Sequence, residues 1–330
     1  MKTILNPDLF HGNKKKLNFF EGWYFKIVDK KGLYKLAIIP GIALGNKDLD
    51  HHSFIQVVDC KNIKYNYIKF KKSDFSYDNT QGIFNVSILS NEFSLSHMNL
   101  NLVYIDSNKK YTIKGSLEFT DIFKWNGSIL NPGSMGFYNY LNFMECYAQV
   151  CALDGNIIGS LNINGEEIDF TGGSVYIEKN WGSSFPRSWV WIQSNDFDTP
   201  DVSITCSLAT IPFPVRDFKG FLIGLRIKDK FYKFTTINRS KLTIKQINND
   251  MNLVITNKNY KLTLHAHSNI DDFVLCYGPK NGHMVPMVKE TLCANVDVIL
   301  EDTKNNTIIF NETGRNTGVE YGGSKMFLLN

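Results

Sequence analysis

A chain of 330 residues exceeds the size at which one core usually stops growing, so two domains of about 150 residues are expected. Its hydrophobic content of 43% suffices for packed cores. The net charge of +4, with lysines spread along the whole length, provides no concentrated basic face for nucleic acid.

Six cysteines (Cys60, Cys146, Cys151, Cys206, Cys276, Cys293) show neither a Cys-x-x-Cys pair nor a compact framework. That usage predicts free thiols in a reducing compartment. The residues after Met1 lack the apolar core of a signal peptide, and no stretch approaches the ~20 apolar residues of a spanning helix. A soluble, cytoplasmic protein is the expectation.

Helical periodicity is nearly absent, and short alternating runs bounded by Gly, Asn and Asp recur along the chain. Strands are predicted over Phe19–Val28, Tyr34–Ile42, Phe54–Val58, Ile63–Phe70, Phe84–Leu89, Phe93–Leu102, Tyr111–Glu118 and Phe143–Cys151. The middle of the chain adds Ile157–Ile163, Ser174–Asn180 and Ser188–Ser194. Further strands are predicted over Val202–Leu208, Gly220–Ile227, Phe231–Thr236, Leu242–Ile247, Asn252–Ile255, Lys261–His265, Asp272–Cys276, Cys293–Leu300 and Thr307–Phe310. The fold class is therefore all-β.

The halves also look alike. Phe19 to Phe25 matches Phe185 to Trp191 at a shift of 166. From Phe54 to Leu95 a shift of 167 pairs Phe54 with Phe221, Tyr65 with Tyr232, Phe75 with Leu242, Ile88 with Ile255 and Phe93 with Tyr260. Each half ends in a Gly-Gly pair, Gly172-Gly173 and Gly322-Gly323. Two tandem antiparallel β-barrels are expected, residues 1–175 and 176–330, each large enough to hold a small ligand.

The chemistry concentrates in residues 171–195, with Trp181, Trp189 and Trp191, the Glu178-Lys179 pair and a turn from Gly182 to Pro186. With period two, Tyr176, Glu178 and Asn180 share one strand face, as do Trp189, Trp191, Gln193 and Asn195 after the turn. On the opening strand Phe19, Glu21, Trp23 and Phe25 share a face beside Tyr24, and Glu145 shares one with Phe143 and Tyr147. A carboxyl group held among rings inside a barrel would be desolvated, keep its proton near neutral pH and serve as a general acid. Indole faces would stabilise a cation formed next to it. Such equipment suits protonation of an alkene. His265 and His267 face the same way on a strand, but no third ligand is in view, so no metal is assigned. Nucleophile-elbow, phosphate-loop and dinucleotide fingerprints are missing.

Several blocks together resemble the tocopherol cyclase family. They are Pro7-Asp8-Leu9-Phe10-His11-Gly12, Phe20-Glu21-Gly22-Trp23-Tyr24-Phe25-Lys26 and Met144-Glu145-Cys146-Tyr147. Beyond these stand Gly165 to Gly173, Tyr176 to Gly182, Ser184-Phe185-Pro186 and Trp189 to Asn195. The resemblance implies paired lipocalin-like (calycin) barrels and a cofactor-free cyclase that closes a chromanol ring on a prenylated quinol. The family often carries a histidine after Met-Glu-Cys-Tyr, where Ala148-Gln149 stand here.

The expected activity is proton-initiated cyclisation of a hydrophobic prenylated small molecule. Glu178 is the first choice of acid, Glu21 the second, with Glu145 as a further carboxylate. Asn180 and Gln193 would orient a hydroxyl, and Trp23, Trp181, Trp189 and Trp191, with Tyr24, Tyr176 and Asn195, would bind the substrate. Hydration of the same alkene, or simple carriage of an apolar ligand, are the competing readings. An apolar substrate also implies peripheral contact with a membrane.

Overall fold

The computed structural model describes residues 2–212, 217–247 and 250–323. The chain divides into two compact units, Met1–Phe185 with Tyr277–Pro286, and Pro186–Cys276 with Met287–Asn330. Among the described residues the only α-helix is the single turn Lys2–Leu5. No helix among them is long and apolar enough to cross a membrane.

The first unit's sheet begins with β1 (Phe19–Val28), β2 (Lys35–Leu44), β3 (His52–Asp59), β4 (Lys64–Lys71), β5 (Phe75–Asp78), β6 (Asn85–Ile88) and β7 (Asn91–Ser94). It continues with β8 (His97–Asp106), β9 (Lys109–Phe123), β10 (Cys146–Ala152), β11 (Asp154–Ile163), β12 (Glu166–Asp169) and β13 (Ser174–Gly182). The second sheet holds β14 (Ser188–Ser194), β15 (Val202–Ile211), β16 (Phe218–Ile227), β17 (Lys230–Thr235) and β18 (Lys241–Ile247). To these it adds β19 (Asp250–Thr256), β20 (Tyr260–His267), β21 (Val274–Lys280), β22 (His283–Asp302) and β23 (Thr307–Gly323).

The first sheet runs β4-β3-β2-β1-β13-β11-β9-β8-β7-β6-β5, with β10 on β13 and β12 on β11. The second runs β17-β16-β15-β14-β23-β22-β20-β19-β18, with β21 on β22. Each has four antiparallel strands ending on a late strand laid beside the first one. Alternation then decides the inner face. In the first unit Ile38 and Ile55 pack in one cluster with Val86, Phe93 and Met98, although their strands lie far apart in the order. The sheet must therefore curl around this core. The second does likewise, bringing Leu208 and Leu225 to Leu253, Ile255 and Leu264. These are the expected lipocalin-like tandem barrels, all antiparallel.

The repeat pairs fall on like-placed strands, β3 with β16, β4 with β17, β5 with β18, β6 with β19 and β7 with β20. Ile88 and Ile255, Phe93 and Tyr260, and Phe75 and Leu242 all face or pack against their own cores. The opening motif does not follow. Trp23 belongs to the first core, whereas β14 turns Val190 and Ile192 inward and so points Trp189 and Trp191 outward. A slip of one residue reverses every side chain of a strand, so the 166 shift matches letters and not faces. The glycine pairs also differ in place, since Gly172-Gly173 precede β13 while Gly322-Gly323 close β23. The free-thiol expectation holds at Cys146, Cys151, Cys206 and Cys276. It fails at Cys60 and Cys293, which are disulfide-bonded.

Candidate active site

Strand β13 lies between β1 and β10, and its two faces have different chemistry. On the inner face Lys179 stands between Trp23 and Gln149, and Trp181 between Glu21 and Tyr147. On the outer face Glu178 stands between Tyr24 and Val150, and Asn180 between Gly22 and Ala148. Gly182 ends the strand at φ +146°, where an added Cβ would lie 2.1 Å from the Glu145 carbonyl oxygen. Only glycine fits so close an approach in that conformation.

The inner face holds an ionic node. Glu21 and Lys179 are each 0% exposed, and Lys179 Nζ lies 2.8 Å from Glu21 Oε1. The same ammonium donates to the Leu9 carbonyl (2.5 Å) and the Asp8 carbonyl (3.2 Å), and sits 3.0 Å from His11 Nδ1. It also lies over the rings of Trp181 (4.6 Å) and Trp23 (5.5 Å). Glu21 Oε2 accepts from the backbone amides of His11 (2.8 Å) and Gly12 (3.1 Å). His11 stacks on Trp181 with ring centroids 4.1 Å apart, and Tyr147 stacks on Trp181 as well. Gln149 donates to Asp8, which also receives Lys124. The indole nitrogen of Trp23 is buried with no hydrogen-bond partner.

This node corrects the expectation for Glu21. Burial alone would raise its carboxyl pKa, but the Lys179 ammonium beside it holds it below its ordinary 4.5. Glu21 is an ion-paired carboxylate that caps the backbone of the Asp8–Gly12 segment, and it carries no spare proton. Burial and the neighbouring Lys179 charge likewise lower His11 below its ordinary 6.5. With Lys179 donating to Nδ1, the neutral ring carries its hydrogen on Nε2, facing the Thr3 carbonyl at 3.2 Å.

The outer face presents the other acid. Glu178 is 6% exposed although it points away from the hydrophobic core of its own unit. Its Oε2 accepts from the Tyr176 hydroxyl at 2.6 Å and its Oε1 from the Asn180 amide at 3.2 Å. Tyr24 stands directly across the ladder. Glu145 is a second correction. Its side chain is exposed and precedes β10, because the chain bends over residues 142–145 before entering the sheet, and Phe143 is exposed too.

The expected substrate-binding residues are thus split. Trp23 and Trp181 line the inside of the first barrel, while Tyr24, Tyr176, Glu178 and Asn180 share its outer face. In the second unit Trp189, Trp191 and Gln193 are buried on the face of β14 opposite Val190 and Ile192. Asn195 follows that strand and is half-buried. Trp189 Nε1 donates to the carboxylate of Glu320.

Sequence reasoning missed His11, Asp8, Gln149 and Glu320, and did not pair Lys179 with Glu21. For Glu320 the parallel shows only once the strand pairing is known. Under the 167 shift Tyr24 maps onto Trp191, and Trp191 pairs with Glu320 as Tyr24 pairs with Glu178.

The first of the two lipocalin-like barrels thus carries a buried, hydrogen-bonded carboxylate beside tyrosines on its outer face. The profile of the family described as tocopherol cyclase-like matches residues 96–323. The chain belongs to that family. It is 26% identical over 193 residues to a probable chloroplastic tocopherol cyclase of Oryza sativa subsp. japonica, covering 56% of this chain and 41% of that protein. To the chloroplastic tocopherol cyclase of Zea mays it is 34% identical over 96 residues, 28% of this chain and 20% of that one. The matches therefore span less than half of these relatives. Among solved structures, CghA with Sch210972 superposes with a TM-score of 0.52 at 8% identity, over 93% of this chain and 89% of that one. A putative AttH from Nitrosomonas europaea gives 0.50 at 14% identity, over 96% and 95%. At these identities the structures speak for the fold alone.

Proposed function

We propose that the protein catalyses proton-initiated cyclisation of a hydrophobic, prenylated quinol or related isoprenoid, with Glu178 as the acid. The observation that carries this reading is a buried Glu178 carboxyl, held by Tyr176 and Asn180 on a face apart from the unit's own core. Glu21, the competing acid, is committed to Lys179 and the Asp8–Gly12 backbone. Membership of the tocopherol cyclase-like family supports the same reading.

In the proposed step the protonated Glu178 gives its hydrogen to the side-chain alkene, leaving a tertiary cation. The substrate's phenol oxygen forms the new C–O bond and returns its proton to the Glu178 carboxylate, so no atom is gained or lost. Tyr176 and Asn180 fix the carboxyl, and the Tyr24 ring across the ladder offers a π-face to the cation. Such a substrate implies peripheral contact with membranes.

The test incubates the full chain with prenyl quinols and follows product mass. A product of unchanged mass is expected, with turnover falling about 10²- to 10⁴-fold in Glu178→Gln. Unchanged turnover in that variant removes Glu178 from the role. A gain of one water would make the protein a hydratase, and recovery of intact ligand would make it a carrier.

A further inference from the structure

Sequence alone places His265 and His267 on one face of a strand with no third ligand in view. In the structure that strand, β20, lies between β19 and β22 in the second unit. Asp250 opens β19, and Asp297 of β22 pairs directly with His265. The two imidazole rings approach to a centroid separation of 3.7 Å. His265 Nε2 and His267 Nδ1 both turn toward Asp250 Oδ2, at 3.9 and 3.7 Å. On the other side His267 Nε2 meets Asp297 Oδ2 at 2.8 Å, His265 Nδ1 lies 3.8 Å from the same oxygen, and the Thr313 hydroxyl holds Asp297 Oδ1 at 2.6 Å.

Of these four imidazole–carboxylate separations only that between His267 and Asp297 is a hydrogen bond. The others are too long for one and close to the ~3.4 Å between ligand atoms that share a metal at about 2.0–2.2 Å. Two imidazoles this close repel if both are protonated, whereas a shared cation turns the same crowding into coordination. The Asp250, His265 and His267 ligand atoms all lie within 4.8 Å of one another.

We propose that Asp250, His265 and His267 form a binding site for a divalent transition metal of the zinc class, with Asp297 orienting His267. Two imidazoles and one carboxylate favour such ions over magnesium or calcium, which prefer all-oxygen shells. Asp297, fixed by Thr313, takes the Nε2 hydrogen of His267 and leaves Nδ1 for the metal, the usual outer-sphere arrangement. All four side chains are 33–42% exposed, so water can complete the coordination. The ion would tie β19 to β20, with Asp297 bracing it from β22. The site is independent of the Glu178 chemistry.

The test strips the full chain with a chelator and titrates it with Co²⁺, read by visible absorption, and with Zn²⁺, read by calorimetry and melting temperature. One equivalent is expected to bind and to raise the melting temperature. Asp297→Asn should weaken binding about 10- to 100-fold while keeping one equivalent. His265→Gln/His267→Gln should abolish both the absorption band and the thermal shift, with unchanged circular dichroism because both side chains are part-exposed. Failure of the native chain to bind either ion overturns the proposal. So does undiminished binding of one equivalent by the double variant.

Discussion

The two units share the order of their first four strands and the late strand laid beside them, yet their corresponding ladders carry opposite chemistry inside and similar chemistry outside. In the first unit the inner positions of β1 and β13 hold Glu21, Trp23, Lys179 and Trp181. Under the 167 shift Trp23 maps onto Val190, whose ladder partner is Tyr321 in place of Lys179. At this ladder position the described residues of the second barrel hold no ion pair, so the strand pairing itself does not require one. What the first unit has in addition is the Asp8–Gly12 segment, buried without a strand of its own. Its carbonyls at Asp8 and Leu9 take Lys179, and its amides at His11 and Gly12 take Glu21. Buried irregular backbone must find such partners. The ion pair is thus the fastening of a strap. On the outer faces the units agree, each placing a glutamate across from an aromatic residue, Glu178 from Tyr24 and Glu320 from Trp191.

The largest expected effect breaks the fastening. Lys179→Met leaves Glu21 and two carbonyls buried without their cation, and should cost about 3–5 kcal/mol in denaturant unfolding. A loss below about 1 kcal/mol would mean that the strap holds by packing alone, through Leu9 and Phe10. Next comes the outer face. Tyr176→Phe removes the hydroxyl donated to Glu178 and should cost about 1–3 kcal/mol, because it leaves a buried carboxyl oxygen without that partner. Equal stability of the two proteins would show that this hydroxyl is dispensable to the fold.

The pH dependence sharpens the same contrast. His11 and Glu21 both have folded values lowered from 6.5 and 4.5, so each contributes stability that is complete above its ordinary value and lost as pH falls toward the folded one. Unfolding free energy should begin to fall below pH 6.5 and fall faster below 4.5, each group adding at most about 1.4 kcal/mol per pH unit. His11→Gln should flatten the upper part of the curve and leave the lower part. A curve unchanged by that substitution would detach the neutral imidazole from the node.

Much of this was legible in the chain. Alternation gave the strands and put Glu21 with Trp23 on one strand face, and the same period of two sets Lys179 with Trp181 on another. It could not show that those two faces are the same one, because that depends on β13 being laid beside β1, a pairing between distant parts of the sequence. Nor could it separate a carboxylate awaiting a substrate from one awaiting a lysine. Glu21 looked desolvated and is, but its partners come from the loop at 8–12, which has no periodicity to read. The outward turn of Trp189 and Trp191 was hidden by a one-residue difference between a motif match and a face match. His265 and His267 were visible as a pair, whereas their carboxylates lie on neighbouring strands.

The smallest expected effect tests whether the second barrel truly dispenses with a polar centre. Tyr321 occupies the ladder position of Lys179, is half-buried and packs against the second core with Phe273. Its ring can stay in place when the hydroxyl is removed, so Tyr321→Phe should cost no more than about 0.5–1.5 kcal/mol, the worth of one neutral hydrogen bond. Set against Lys179→Met at the equivalent position, the ratio of the two losses measures how much the charge adds beyond filling space. Should Tyr321→Phe prove as damaging as Lys179→Met, the second unit would have its own polar anchor. The ionic node would then be one solution to a requirement common to both barrels, and no longer a device specific to the strap.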